Sequence, residues 1–207
     1  MRLIKVGLTG GIAAGKSTVS ERWRRAGAAV IDTDELAHRT LAPGTPTYAE
    51  VVSAFGKEIL NTDQTINRRR LGEIVFADEH KRLALNRMVH PPVREMLNQA
   101  LAELEQSGQM EVVVAMIPLL YEVGAESEFD DVVAVACSEQ TQLARLAAKG
   151  LSETQARARI RAQWPVQQKV ERADFVIWND GSREVLDRQA DIIWATIKEN
   201  RHVPRKN

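Results

Sequence analysis

A glycine-rich stretch near the N-terminus, residues 10–18, contains the residue types that bind a triphosphate. Its sequence is GGIAAGKST, in which two glycines separated by four residues precede Lys16 and Ser17. This spacing matches the P-loop pattern, whose glycines let main-chain N–H groups approach phosphate oxygens closely. The lysine is expected to reach the β- and γ-phosphates, and the serine hydroxyl to bind Mg²⁺. The predicted nucleotide-binding residues are Gly10, Gly11, Ala13, Ala14, Gly15, Lys16, Ser17 and Thr18.

The flanking sequence decides between this site and a glycine-rich turn that binds nothing. The apolar run 3–8 predicts a strand before the loop, and a helical pattern begins at Lys16. Such a helix directs its partially positive N-terminus at the same anion. Because the strand, loop and helix that the motif requires are all present, the sequence favours a nucleoside triphosphate site.

Two carboxylates follow the next predicted strand, which covers residues 28–31. Asp32 and Asp34 lie at its carboxyl end, where α/β sheets bind ligands. One carboxylate can orient Mg²⁺ through water, and the other can accept a proton from an attacking hydroxyl. The alternative is that one of them only caps the following helix, for which Asp34 is well placed.

A second group of residues is basic and surrounds a predicted helix between Gly150 and Pro165. A kinase needs positive charge over the transferring phosphoryl group, and a mobile lid supplies it while excluding water. The alternative is a solvated helix whose cations pair with Glu153 and Glu171. The basic residues are Arg145, Lys149, Arg157, Arg159, Arg161, Lys169 and Arg172.

Other polar and aromatic residues give weaker signals. His90 precedes Pro91 in a helical region, where a lone histidine is more often structural than functional. Arg68 begins a basic cluster that is equally compatible with phosphate contact and with surface exposure. Apolar positions predict core packing for the four tryptophans and burial for Cys137, the single cysteine.

The elements that must position these residues alternate between strands and helices. Five apolar runs predict strands, at residues 3–8, 28–31, 112–117, 132–137 and 175–178. This alternation indicates an α/β fold with a parallel, doubly wound sheet. Residues 36–108 have little strand character and are predicted to form a helical insertion, in which Pro91 and Pro92 separate a helix at 79–89 from another at 93–106. A terminal helix is predicted from Arg183 to about residue 200, followed by a disordered tail at 202–207.

Composition excludes several classes of function. The 207-residue chain has a formal net charge of zero and is 44% hydrophobic, so no bulk charge favours nucleic acid or a membrane surface. No apolar run approaches the roughly 18 residues of a membrane span, and no signal peptide is evident. A single cysteine fits a reducing compartment. We therefore expect a cytoplasmic protein that is a monomer or weak homo-oligomer and binds neither nucleic acid nor membrane.

Motifs spread over almost the whole chain resemble those of the dephospho-coenzyme A kinase family. The resemblance rests on Leu8–Val19, Val30–Asp34, Ala37 with His38, Arg68 with Leu71 and Phe76, Leu85–Pro91, Pro118–Glu122, Gln142 with Leu143 and Arg145, Arg161–Gln163, Lys169, Ala173 with Asp174, and Asn179–Ser182. The chain departs from the family pattern at three places. Ala14 stands for the usual serine, Thr33 for alanine, and Lys149-Gly150 for an arginine followed by an acidic or amide residue.

The resemblance implies that ATP phosphorylates the ribose 3′-hydroxyl of dephospho-coenzyme A, giving coenzyme A and ADP. It also implies a P-loop NTPase-type three-layer fold in three parts. The nucleotide-binding core would comprise residues 1–35, 109–144 and 170–207. Residues 36–108 would bind the acceptor, and residues 145–169 would form a lid.

We assign site residues on this basis. Asp34 is predicted to be the base and Asp32 to support the metal with Ser17. Lys16 and Arg145 are predicted to stabilise the phosphates, and Asn179 to contact the nucleotide. The predicted acceptor contacts are Asp34, Arg68, His90, Leu119, Tyr121 and Glu122.

Two other functions remain open from the residues themselves. A nucleotide or nucleoside kinase would share the loop and differ only in its acceptor. A GTPase-type switch would need an Asn-Lys-x-Asp segment and an Asp-x-x-Gly switch. The chain has neither, because Asn179-Asp180-Gly181 lacks the lysine.

Overall fold

The computed structural model describes residues 2–199, in which five strands form a single parallel sheet. The strands are β1 (Ile4–Gly10), β2 (Ala29–Asp32), β3 (Val112–Met116), β4 (Asp131–Ala136) and β5 (Phe175–Trp178). Their order across the sheet is β2-β3-β1-β4-β5. In the register of β1, Leu8 pairs with Met116 of β3 and Gly10 with Val135 of β4. The carboxyl ends of the strands therefore share one edge, and the predicted α/β sheet is confirmed.

Helices connect the strands, as the alternation predicted. Within the described residues they are α1 (Lys16–Arg25), α2 (Thr33–Thr40), α3 (Pro46–Phe55), α4 (Arg68–Ala77), α5 (Glu79–Ser107), α6 (Glu139–Ala148), α7 (Glu153–Arg161), α8 (Val166–Arg172) and α9 (Arg183–Glu199). Short 3₁₀ helices cover Lys57–Ile59 and Glu126–Glu128. The predicted disordered tail at 202–207 lies outside the described residues.

The chain divides into two compact units. The first, here the sheet unit, runs to Ile31 and resumes at Glu103; the second, the helical unit, is Asp32–Ala102. The predicted borders of core, acceptor region and lid remain a prediction.

The sheet unit is built on strands that are buried on both faces. Every residue of β3 and β4 is buried, as expected for central strands of a parallel sheet. On one side Trp23 of α1 is completely buried and stacks on Trp194 of α9, with ring centroids 5.9 Å apart. The Trp23 indole N–H also donates to Ala190 O. Cys137 is buried, as predicted.

The edge strand β5 corrects one expectation. Trp178, predicted to pack in the core, is 43% exposed because β5 has a neighbour on one side only. Its main-chain N–H donates to Gln189 Oε1 of α9, and its carbonyl accepts from Gln189 Nε2. The Gln189 amide therefore occupies both main-chain groups of Trp178.

The helical unit has its own apolar core. That core contains Val51, Phe55, Ile59, Ile66, Leu71 and Val75. Neighbouring side chains cap the helices: Thr45 Oγ1 accepts from Tyr48 N, and Asn67 Oδ1 accepts from Arg70 N. Each cap satisfies a main-chain donor that a helix start would otherwise leave unpaired.

The predicted break at Pro91 and Pro92 is wrong, because α5 runs through both residues. The two prolines lack N–H groups and so remove two main-chain hydrogen bonds, which normally disfavours a helix. Here Val89 on one side and Leu97 and Leu101 on the other are buried along the same helix. We attribute the continuity to this burial, which outweighs the local cost. In the described part of the chain, no helix has the length and apolarity needed to cross a membrane.

Candidate functional site

The loop between β1 and α1 adopts a shape that only glycine permits at two positions. Gly10 has φ 140° and Gly15 has φ 109°, both in a region that favours glycine. A Cβ at Gly10 would lie 2.0 Å from Val135 O, and one at Gly15 would lie 2.3 Å from Asn179 Nδ2. The glycines therefore allow the loop to pack against β4 and the end of β5.

Side chains from distant elements hold the carbonyl groups of the loop. Gln142 Nε2 of α6 donates to Ile12 O over 2.8 Å. Arg145 NH1, one helical turn later, donates to Ala13 O at 3.1 Å and Ala14 O at 3.3 Å. Three successive carbonyls are thus bonded by one face of α6.

The end of β5 adds a further contact. Asn179 is buried, and its Nδ2 donates to Ala14 O over 2.7 Å. Its own carbonyl accepts from Arg145 NH2 over 2.9 Å. Asn179 and Arg145 therefore support each other as well as the loop.

Asp180 fixes the loop that follows β5 to the start of α6. Its carboxylate accepts from Ser138 N at 2.9 Å, Ser138 Oγ at 2.8 Å and Thr141 Oγ1 at 2.5 Å. The Thr141 hydrogen bond, followed by those of Ser138, lowers the pKa of Asp180 below its usual value. This charged carboxylate keeps Asn179 and α6 together at the loop.

The orientation of the carbonyls determines where the amides point. The described peptides are all trans, so each C=O and the following N–H point in opposite directions. With the carbonyls of Ile12 and Ala14 held by side chains, the N–H groups of Ala13 and Gly15 turn to the other side of the loop. Main-chain amides on one side of a loop, together with the N-terminus of the following helix, are the groups that bind an anion in such a site.

Lys16 lies at the first position of α1 and bonds the beginning of the loop. Its Nζ donates to Gly10 O at 2.9 Å and to Gly11 O at 3.0 Å. The next residue, Ser17, is exposed in the first turn of the same helix. The predicted phosphate-binding lysine and metal-binding hydroxyl therefore both lie at the N-terminus of α1.

The Ser17 hydroxyl is the oxygen donor on which a metal site at this loop would depend. Among residues 2–199, no three His, Cys, Asp or Glu side chains are grouped so that they could hold a metal. Mg²⁺ is commonly held by substrate phosphates with one or two protein oxygens, and the exposed Ser17 hydroxyl is a suitable oxygen donor. The residues present therefore fit Mg²⁺ bound together with a nucleotide.

Glu122, predicted as an acceptor contact, lies in a buried ion pair. Its Oε1 is 2.7 Å from Lys169 Nζ and accepts from Trp164 N over 2.8 Å. The Lys169 side chain is 0% exposed and also donates to Pro118 O. Burial lowers the pKa of Lys169 below its usual value, while the Glu122 carboxylate opposes that shift. Lys169, predicted as a lid cation, is thus inside the protein.

Tyr121 and Leu119 flank the same turn after β3. Tyr121 stacks on Trp164 at 6.2 Å, and the guanidinium carbon of Arg172 lies 5.4 Å from the Tyr121 ring centroid. Burial, with Asp174 and Glu126 nearby, raises the pKa of Tyr121 to about 12. Its hydroxyl has no hydrogen-bond partner in the described part of the chain. Leu119 is half-buried.

The remaining cations of the predicted lid are partly engaged by carboxylates. Arg157 of α7 bonds Glu139 at 2.6 Å and Glu153 at 2.9 Å. The pair with Glu153 is one of those expected if α7 is a solvated helix and not a lid. Arg161 at the end of α7 is exposed. Both the lid and the phosphate role of Arg145 stay predictions, since the Arg145 guanidinium bonds loop carbonyls here.

The predicted carboxylates lie at the start of the helical unit. Asp32 Oδ1 accepts from Asp34 N over 2.9 Å, so Asp32 is the residue that caps α2. Asp34 lies in the first turn of α2 and is exposed. The helix cap is therefore Asp32 and not Asp34. The chemical roles of both carboxylates remain predictions.

Two further predicted acceptor contacts belong to the helical unit. Arg68 is exposed at the first position of α4. His90 is half-buried within α5, and burial lowers its pKa, which favours the neutral imidazole.

Two glutamines that contact the loop, Gln142 and Gln163, have no role predicted from the sequence. Gln142 bonds Ile12 O, and Gln163 Oε1 accepts from Ile12 N over 2.7 Å. Both residues occur in the family motifs, which is the one signal that could have drawn attention to them. Their contacts span more than a hundred residues and leave no local pattern.

Comparisons with known proteins cover nearly the whole chain. The family model described as dephospho-CoA kinase matches residues 4–184. A dephospho-CoA kinase of Geobacter sulfurreducens is 45% identical over 191 residues, covering 92% of this chain and 96% of that one. One from Geobacillus kaustophilus is 48% identical over 187 residues, covering 90% and 92%. The crystal structure of TT1252 from Thermus thermophilus superposes with a TM-score of 0.76 at 36% identity, covering 95% and 98%.

Proposed function

We propose roles for individual residues from the premise that the chain belongs to the dephospho-CoA kinase family. It catalyses the ATP-dependent phosphorylation of the ribose 3′-hydroxyl of dephospho-coenzyme A, the final step of coenzyme A synthesis. This membership decides against the nucleoside kinase and the GTPase-type switch that the loop alone left open.

The loop held by Gln142, Arg145 and Asn179 carries the proposal. Its carbonyls bond these side chains, which turns the N–H groups of Ala13 and Gly15 to the opposite face of the loop. We assign the phosphates of ATP to that face. Lys16 then stabilises the charge that develops on the transferring group, since phosphoryl transfer depends mainly on positioning and electrostatics. Arg145 contributes by holding the loop as well as through its own charge.

Mg²⁺ would be held by Ser17, with Asp32 supporting it through water. The ion supplies neutralisation of phosphate charge during transfer. Ser17 is suited to this role because its hydroxyl is exposed in the first turn of α1. Asp32 uses one oxygen to cap α2, which leaves the second oxygen for a water ligand.

Asp34 is the proposed base. It follows the carboxyl end of β2 and is exposed, where a carboxylate can accept the proton of the attacking 3′-hydroxyl. The helical unit, with Arg68 and His90, is proposed to bind the acceptor together with Leu119 and Tyr121. Glu122 is proposed to contribute through its buried contacts.

The proposed setting is the cytoplasm, with the enzyme a monomer or weak homo-oligomer. Support for the compartment comes from Cys137, which is a free, buried thiol. Burial raises its pKa above the usual value, which favours the protonated thiol.

The test is Asp34→Asn, assayed by transfer of labelled phosphate from ATP to dephospho-coenzyme A. We expect kcat to fall about 10²-fold while ATP affinity is kept, as for loss of a general base. Glu35→Gln is the matched control, because Glu35 is the next residue of α2 and is also exposed. Near-normal turnover of Asp34→Asn would remove Asp34 from the mechanism.

A further inference from the structure

We propose that Gln163 is a positioning residue for the phosphate-binding loop, and that a buried ion pair between Glu122 and Lys169 holds it there. Gln163 follows the end of α7 and precedes Trp164 and Pro165. The inference rests on the proposed role of residues 10–18 in binding the phosphates of ATP.

The key contact fixes one peptide plane of the loop. Gly11 O accepts from Lys16 Nζ at 3.0 Å and from Ala14 N at 3.2 Å. In the same trans peptide the N–H of Ile12 points the opposite way, and it donates to Gln163 Oε1 at 2.7 Å. Gln163 therefore holds the Gly11 carbonyl on the side where Lys16 lies.

This peptide plane needs an external restraint. Gly11 has no side chain, and a Cβ there would lie 2.4 Å from Gln142 Nε2, so a larger residue would displace the Gln142 amide. Glycine also permits rotations of the adjoining peptide that other residues resist. Without an acceptor for the Ile12 N–H, rotation would turn the Gly11 carbonyl away from Lys16. Gln163 restrains this peptide at the Ile12 N–H, opposite the bonds that Gly11 O accepts from Lys16 Nζ and Ala14 N.

The main chain beside Gln163 is held by a carboxylate. Trp164 N donates to Glu122 Oε1 over 2.8 Å, and Lys169 Nζ lies 2.7 Å from the same oxygen. The Lys169 and Glu122 side chains are 0% and 14% exposed. Because this pair is removed from water, its hydrogen bonds are stronger than surface ones. Pro165 restricts the chain directly after Trp164.

These contacts return to the strand that begins the loop. Lys169 Nζ donates to Pro118 O at 2.7 Å, and Thr9 Oγ1 donates to the same carbonyl at 3.4 Å. Thr9 is the residue of β1 directly before Gly10. The hydrogen bonds thus run from β1 through Pro118 and the ion pair to Gln163, and from there back to Ile12. This arrangement ties the α7–α8 connection to the loop at both ends.

Loss of the Gln163 contact is expected to weaken the binding of ATP. The loop amides bind the phosphates in the ground state as well as the transition state, so a misplaced peptide weakens uniform binding. Uniform weakening raises KM for ATP and leaves kcat nearly unchanged. We expect KM for the acceptor to stay the same, because the residues proposed to bind the acceptor do not include the Ile12 peptide.

Gln163→Met tests the contact, because methionine keeps the length of the side chain and removes the oxygen acceptor. We expect KM for ATP to rise about tenfold, the size of one lost hydrogen bond, with kcat within threefold and the acceptor KM within twofold. Gln163→Glu keeps an acceptor. At about 0.3 M salt, which screens its charge, KM for ATP should return to within threefold of the unsubstituted enzyme. An unchanged KM in Gln163→Met, or equal effects of both variants, overturns the proposal.

Gln168→Met is the matched control, since Gln168 is exposed on α8 five residues further on. It should leave both KM values unchanged. Thermal unfolding of each variant shows whether a change in KM reflects lost stability. A rise in KM for ATP shared by Gln168→Met would also count against the proposal.

Glu122→Gln tests the ion pair, because it removes the charge and keeps an acceptor for Trp164 N. If Glu122 acts through Gln163, Glu122→Gln alone raises KM for ATP. The double variant should then have a KM for ATP less than twofold above that of Gln163→Met alone. If the rise in KM for ATP in the double variant equals the product of the two single rises, the proposed role of the ion pair is overturned. Should Glu122→Gln not fold, Glu122→Asp keeps the charge, shortens the reach and answers the same question.

Lys16→Ala separates this inference from the proposed function. If Lys16→Ala is inactive and Gln163→Met is silent, the loop binds phosphate and Gln163 does not position it. If Lys16→Ala retains full activity, the proposed role of the loop itself fails.

Discussion

The phosphate-binding loop of the sheet unit and the helix starts of the helical unit are both held by side chains that bond the main chain. They differ in how far those side chains lie along the sequence. Gln142 bonds Ile12 across 130 residues, and Asn179 bonds Ala14 across 165. In the helical unit the cap from Thr45 spans only three residues.

The difference teaches where each region gets its shape. A cap forms as soon as its own helix forms, so its loss affects one helix end. The loop receives its contacts only when β1, α6 and β5 have come together in the folded sheet. Several of these contacts act on one short segment, so a single loss is expected to affect both its stability and its function.

Lys16→Ala should have the largest effect on activity. It should lower activity while the fold is kept, and so separate the function of the loop from its stability. Its side chain is expected to face the phosphates, so activity falls by roughly 10²–10³-fold. The fold should persist, because the loop carbonyls keep their bonds to Arg145 and Asn179. Activity assays and circular dichroism check both parts, with Lys57→Ala in the helical unit as control. Collapse of the dichroism signal would void the functional interpretation.

Arg145→Met should be the most destabilising change at the loop. It removes hydrogen bonds to Ala13 O, Ala14 O and Asn179 O. Donors that carry charge contribute more than neutral ones, so we expect the free energy of unfolding to fall by about 2 kcal/mol. Urea denaturation measures it. A loss below about 0.5 kcal/mol would show that the loop does not depend on this long-range contact.

Thr45→Ala measures how much a local helix cap contributes to the free energy of unfolding, for comparison with the long-range contacts of Arg145. Loss of the bond from Tyr48 N should lower the free energy of unfolding by about 1 kcal/mol. Thr45→Ser keeps the hydroxyl and should recover most of it. The same urea denaturation applies, and a loss larger than that of Arg145→Met would reverse the comparison.

The smallest effects concern two residues other than glycine that have a left-handed backbone, one in each unit. Ala13 has φ 58° and Gln64 has φ 66°. Replacing either with glycine relieves steric strain but adds flexibility to the unfolded chain, so each should raise the free energy of unfolding by about 0.5 kcal/mol. Only Ala13→Gly should also raise KM for ATP, since it loosens the phosphate-binding loop. Equal kinetics in the two variants would argue against that distinction.

The sequence was sufficient where the information is local. The sequence predicts the loop from Gly10 to Thr18 because its residues and spacing serve one purpose, and the strands because each is a mainly apolar run. The break expected at Pro91 and Pro92 did not occur, since burial along α5 outweighs a local preference.

Features that depend on contacts between distant parts of the chain could not be predicted from the sequence. Trp178 was expected in the core, because its apolar run does not reveal that β5 lies at the edge of the sheet. The role of Gln163 depends on a contact with Ile12 across 151 residues. Lys169 has the sequence character of a surface cation, and only its position against Glu122 shows that it is buried.

Gln189 has a consequence for how the protein behaves at high concentration. An edge strand with unpaired N–H and C=O groups is a template onto which another chain can add, and this is a common start of aggregation. At Trp178 both groups are bonded to the Gln189 side chain. A second chain would have to displace that amide before it could extend the sheet from β5. Gln189 thus occupies the main-chain groups that the exposed Trp178 would otherwise offer to a further strand.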